Sequence, residues 1–250
     1  AALGDVYQRG SVQAHSAQLQ AGRDLTLAGT LRSATTLQLQ AQRALNVDGQ
    51  AVAGGALGMR GASVALGEHA VVQTATALQV DAGTLDSRGA LDAGTDLSLR
   101  SRGALSLSGI AQGGRDVALQ ADESLDNQAR VFAGRTLTLS AASATNRAQG
   151  ELSAQAALDA DVRGALDNAG TLQAGQALSL SAGSLQQSGR AYAGDTLSVQ
   201  VAGALDNRGD LIARHDVRVE AGSVASSGQL GSQEGQLLVD SRGDVQLDGS

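Results

Sequence analysis

Cysteine, proline, tryptophan and lysine are all absent from these 250 residues, and aromatic side chains make up only 1% of them. Without cysteine no disulfide staples the chain and no thiolate can hold a metal, and the redox compartment is left open. A compact domain of this length normally fills its centre with large rings. This chain has to close a narrow core with Ala, Leu and Val instead. Because lysine is missing, the 18 basic residues are all Arg, and against 25 acidic residues they leave a net charge of −7. That sign opposes binding along a phosphate backbone, and the small pairs Arg100/Arg102 and Arg214/Arg218 do not reverse it, so nucleic acid is not expected as a partner. No run of about 18 apolar residues is present to cross a bilayer, and nothing has the layout of a signal peptide. We therefore expect a soluble segment with no membrane insertion, whose export signal lies outside it.

What the sequence does contain is a repeat. Ala17/Leu19, Leu37/Leu39, Leu57/Met59, Leu78/Val80, Leu97/Leu99, Val117/Leu119, Leu137/Leu139, Leu158/Ala160, Leu178/Leu180, Leu197/Val199, Val217/Val219 and Leu237/Val239 recur about every twenty residues. A period held along a whole chain means stacked units, each contacting only its neighbours. The i, i+2 spacing of the apolar pairs, as in TLQLQ and TLTLS, is that of a strand with one face inward and excludes helix.

A second apolar series follows at Leu25, Leu45, Val64, Leu85, Leu105, Leu125, Thr145, Leu166, Leu185, Leu205, Val224 and Val245. A third follows at Leu31, Val52, Val71, Leu91, Ile110, Val131, Leu152, Leu172, Ala191, Leu211 and Leu230. The flank of Leu25, AGRDLTL, copies the entry to the first series, yet its spacing places it in the second. Equivalent strands recur only after two Gly-rich corners and run the same way, so neighbouring coils pair in parallel. The expectation is an all-β, right-handed, single-stranded parallel β-helix (solenoid) with three short strands per coil and about twelve coils of roughly 19–21 residues. Residues 1–250 are read as one continuous segment of a longer filament, since neither end carries a polar cap over the terminal ladder.

Candidate chemistry is sparse. Ser87, Asn127, Asn168, Gln187 and Asn207 follow the second series at a fixed offset, readable as a polar recognition strip or, more economically, as corner residues, Asn tolerating the left-handed backbone of a tight corner and the stacked amides hydrogen-bonding from coil to coil. Arg60, Asp81 and Arg100 form an outward column of alternating charge, which reads as a solvated ladder. His15, His69 and His215 fall in different coils and make no ligand pair or triad. The uniform coil length leaves no insertion to wall a catalytic cleft, so no enzyme, metal or cofactor is expected. Two tripeptides remain as candidate receptor-binding sites: Arg208-Gly209-Asp210 and Arg242-Gly243-Asp244. Both fit what reads as one corner template, represented by SRGAL, VRGAL and NRGDL, from which a single Ala-to-Asp change yields RGD.

The phrases AGRDLTL, GALDNAGTLQAGQALSLSAGSL and GALDNRGDLIARHDVRVEAGS resemble the haemagglutinin repeats of filamentous haemagglutinin and related two-partner-secretion exoproteins, over nearly the whole chain. The resemblance implies a long right-handed β-helix exported by an outer-membrane two-partner-secretion transporter and displayed on a Gram-negative cell surface. Some members are adhesins for host receptors or surface glycans; others are stalks of contact-dependent toxin-delivery filaments. An RGD of filamentous haemagglutinin has been linked to integrin attachment, a role that only Arg208–Asp210 and Arg242–Asp244 could receive here. The family's secretion domain carries Asn-Pro motifs, and this chain has no proline.

Overall fold

In the computed structural model, which describes residues 2–249, every regular element is a strand and every strand pairing is parallel. The chain divides into two compact units, Ala1–Glu123 and Ser124–Ser250. Each is a parallel β-solenoid, and twelve third-series strands mark about one turn each along the chain.

In the first unit the first series stacks as Ala17, Leu37, Leu57, Leu78 and Leu97, each the register partner of the next. The second stacks as Val6, Leu25, Leu45, Val64, Leu85 and Leu105, which confirms Leu25 in that series. In the second unit the corresponding columns are Leu137, Leu158, Leu178, Leu197, Val217 and Leu237, then Ala144, Leu166, Leu185, Leu205, Val224 and Val245. Buried leucines such as Leu39, Leu99, Leu158 and Leu185 fill the interior. Each fully buried Leu contributes about 2 kcal/mol.

The first two series are often not separate strands. Leu57–Leu66, Leu78–Ser87, Leu178–Gln187 and Val217–Ser226 each run through both, and they share one sheet, while the third series forms another. The bend between the two series is gentle enough for ladder bonds to continue, and coils with extra residues absorb them there as register shifts, as between Val201 and Ala204.

Four inward assignments shift by one residue. Ala51 and Ala111 point inward where hydropathy favours Val52 and Ile110, and Val72 does so in place of the equally apolar Val71; Ile110 is 52% exposed. Ala144 is buried where Thr145 was expected. In the third series the backbone register is counted from the small residue at the preceding corner: Gly49, Ala70 and Gly109 lie two places before Ala51, Val72 and Ala111, as Gly29 lies two places before Leu31. Beside Ala51 and Ala111 the bulkier neighbour is thereby turned outward, since successive side chains in a strand face opposite ways.

Corner geometry departs from expectation too. No described residue has positive φ, so neither Gly nor Asn is selected for a left-handed backbone. Gly209 is required by close approach instead: a Cβ there would lie 2.0 Å from the carbonyl oxygen of Gly189, one coil earlier.

Candidate recognition surface

The polar residues after the second series are buried. In the second unit Asn127 donates to Asn146 Oδ1 at 2.8 Å, Asn146 to Asn168 Oδ1 at 2.7 Å, and Asn168 to Gln187 Oε1 at 2.9 Å. Their amides also donate to backbone carbonyls, Asn146 to Thr171 and Asn168 to Arg190. Asn207 continues the column by donating to Ser226 Oγ at 3.0 Å. This interior amide ladder offers nothing to a ligand, so the recognition-strip alternative falls and the stacking one holds. Asn146 belongs to it but was not singled out in the sequence, because its coil was registered on Thr145. In the first unit the same position carries Leu27, Val47, Leu66 and Leu107, with Gln8 and Ser87 the polar exceptions.

The two RGD tripeptides lie at different corners. Arg208 and Gly209 end the second series, and Asp210 opens the third-series strand Asp210–Ala213. Arg242–Asp244 sits instead between Leu237–Ser241 and Val245–Leu247, at the first-to-second bend. The single template is therefore two: SRGAL at 87–91 matches the first tripeptide, whereas SRGAL at 101–105 matches the second.

Their contacts differ accordingly. Arg208 is exposed and forms a two-pronged ion pair with Asp206 of its own coil, at 2.8 and 3.2 Å. The Asp210 backbone is held from both sides, its N–H donating to Gly189 O at 2.9 Å and its carbonyl accepting from Gln187 Nε2 at 3.1 Å, while its side chain faces outward. Arg242 reaches back two coils over Gly222 and donates to Ala202 O at 3.3 Å. It lines an open groove of about 400 Å³ at the bend, with Glu220 and Asp240 beside it.

Outward charges pair between coils. The column Arg60, Asp81, Arg100 stands in direct register as expected; within it Asp81 takes Arg60 at 2.7 Å, and on the other side its ion pair goes to Arg102 at 3.5 Å. Arg147 meets Asp126 at 2.7 Å, and the hydrogen bond and charge of that carboxylate raise the Arg147 pKa. The Asp24 backbone N–H, and after it the Arg23 guanidinium, hold the Asp5 carboxyl below its ordinary value against partial desolvation. His69 faces Asp48 at 3.4 Å, and His215 stands between Asp195 at 2.9 Å and Glu234 at 3.6 Å. Among the described residues no group of three His, Cys, Asp or Glu is placed to hold a metal.

The sequence model of the haemagglutinin repeat family matches residues 9–76, 58–109, 74–131, 108–170, 132–189 and 177–249. No curated protein and no solved structure matches the chain. The overlapping matches follow the coils of both units, and the chain belongs to the haemagglutinin repeat family.

Proposed function

We propose that this chain is a structural, non-enzymatic shaft segment of a secreted surface adhesin, and that it attaches to host-cell receptors or surface glycans through its outward faces and corners. The family suggests an adhesin-like shaft at the cell surface. The observation that carries the reading is the brevity of the connections: strand follows strand within a few residues throughout both units, giving flat faces and shallow grooves without a walled cleft. Export through a two-partner-secretion transporter of a Gram-negative outer membrane belongs to the same proposal.

Of the two tripeptides we favour Arg208–Asp210 for attachment. Asp210 starts a strand with its carboxylate outward and its backbone fixed, and its Arg208 stays at its own coil on the exposed Asp206 pair, whereas Arg242 is folded back two coils onto the Ala202 carbonyl. The experiment is cell binding by the purified segment with Asp210→Ala and Asp244→Ala combined. Ala90 and Ala104 already occupy the equivalent positions, so the fold should be unchanged. Loss of binding supports the receptor role. Undiminished binding moves attachment to the faces, and absence of binding even by the unmodified segment supports the alternative of a passive stalk in a toxin-delivery filament.

A further inference from the structure

The outward side of the third-series strands in the second unit is unlike its other faces. The first series there exposes Ser179, Ser181, Ser198 and Gln200, and the second exposes Asp167 and Asp206. The third turns outward one column running Phe132, Ser153, Gln173, Tyr192, Ile212, in direct coil-to-coil register, half-buried except for the exposed Gln173. It holds the only Phe of the chain and one of its two Tyr. Beside it, two residues earlier on each strand, runs Arg130, Glu151, Thr171, Arg190, Asp210.

The strand Gln229–Ser232 continues both columns with the uncharged Gln229 and Gly231, and from Arg130 to Asp210 the charge order of the second column is plus, minus, neutral, plus, minus. Reversed end for end, it becomes minus, plus, neutral, minus, plus, its own complement. From this antisymmetry we infer that the face is a homodimer interface, in which a second copy of this chain packs on it about a twofold axis parallel to the strands and passing over Thr171 and Gln173. Such an axis reverses the order of coils and preserves position along the strand, so each column meets itself inverted. Arg130 then faces Asp210 of the second copy, Glu151 faces its Arg190, and Thr171 faces its own counterpart. In the aromatic column Phe132 meets Ile212, Tyr192 meets Ser153, and Gln173 meets Gln173. Every charge acquires an opposite charge, both apolar ends pair with apolar ends, and the middle pairs hydrogen-bonding groups.

The single chain presents these groups ready for exchange. Arg130 and Glu151 are 3.3 Å apart at the surface and would join a four-charge cluster with Asp210 and Arg190 of the other copy. The guanidinium of Arg190 lies 5.3 Å from the centre of the Tyr192 ring, which keeps it outward over the face. At strand spacings of about 4.8 Å and a rise of about 3.3 Å per residue, the patch covers about 300 Å² on each copy, well under the ~800 Å² per partner of a standard complex. The dimer is therefore weak and, held by surface charges, salt-sensitive.

Asp210 belongs to both this face and the proposed receptor corner, so the test uses residues outside both tripeptides, which keeps association and receptor attachment distinguishable. Sedimentation equilibrium on the purified chain, at low salt and up to sub-millimolar concentration, should show monomer and dimer. Arg190→Glu sets Glu against Glu151 of the other copy and should raise the dissociation constant at least about tenfold. Combining it with Glu151→Arg restores the complement at every position and should recover the original constant. Thr171→Arg places two guanidinium groups against each other on the axis and should also dissociate the dimer, while both residues of the Arg130–Glu151 pair stay in place. Melting curves of the dilute variants should match that of the parent, which separates loss of association from loss of fold. A strictly monomeric parent, an indifferent Arg190→Glu, or a double variant that fails to recover association would each overturn the proposal.

Discussion

Gln187 donates to the carbonyl of Asp210, as the Asn amides do to their own backbone acceptors, but makes no bond to Asn207, whose Oδ1 is left buried without a protein hydrogen-bond partner. Elsewhere in the ladder each side-chain amide donates to the side chain of the next coil, as Asn146 does to Asn168. Gln187 is one methylene longer than its neighbours, which carries its amide nitrogen beyond the next side chain. The break falls directly beneath the Arg208–Asp210 corner.

Replacing Gln187→Asn should therefore stabilise the protein. The shorter amide reaches Asn207 Oδ1, and satisfying one buried acceptor is worth about 1–3 kcal/mol. A rise of at least a few degrees in the thermal midpoint is expected, and an unchanged or lowered midpoint would show that the orphaned oxygen costs nothing.

Asn168→Ala should do the opposite. Asn168 accepts from Asn146 and donates both to Gln187 Oε1 and to Arg190 O, so its truncation strands polar groups within the buried column. A loss of about 2–3 kcal/mol is expected in denaturant titration. The first unit tolerates Leu at this position because its neighbours there are mostly apolar as well, so Asn168→Leu alone should not rescue the loss.

Leu137 is fully buried and stacks against Leu158. Leu137→Asp should lower stability by several kcal/mol, because an unpaired carboxylate in that interior has no partner and must be desolvated or protonated. Melting followed by circular dichroism is the measurement, and a retained midpoint would mean that the side chain escapes to solvent.

Gly209→Ala and Asp210→Ala should separate cleanly. A Cβ on residue 209 meets the Gly189 carbonyl at 2.0 Å and forces the coils apart, at about 1–3 kcal/mol. Asp210→Ala removes an outward side chain and should leave the thermal midpoint within about a degree, since surface changes away from special features usually lie within ~0.5 kcal/mol. Equal midpoints for the two variants would contradict the packing role of Gly209.

The first and second apolar series could be read directly because bulk and burial coincide there: nearly every inward position carries Leu or Val and the spacing alone places Leu25. In two coils of the third series they part company. Ala51 and Ala111 are inward and small while Val52 and Ile110 are outward and large, so hydropathy chose the wrong neighbour and only the corner residue marks the true count. Val71 and Val72 are identical in hydropathy, so composition could not choose between them either, and the register makes Val72 the inward one. Both RGD tripeptides were visible as strings, but the corner each occupies was not, because SRGAL occurs at two structurally different bends.

What the sequence determined by itself was the class of fold, since a period of about twenty residues with strand-like alternation admits stacked parallel coils and little else. The tertiary structure decided everything that depends on which residue of one coil lies over which residue of the next. It turned a scattered set of Asn and Gln into a buried ladder, gave Asp81 the partners Arg60 and Arg102, and aligned Phe132, Ser153, Gln173, Tyr192 and Ile212 into one outward column. Coil lengths vary by a residue or two and the surplus is taken up in bulges and corners, so vertical neighbours cannot be counted along the chain; hydrogen-bond register between strands, a property of the folded backbone alone, sets them.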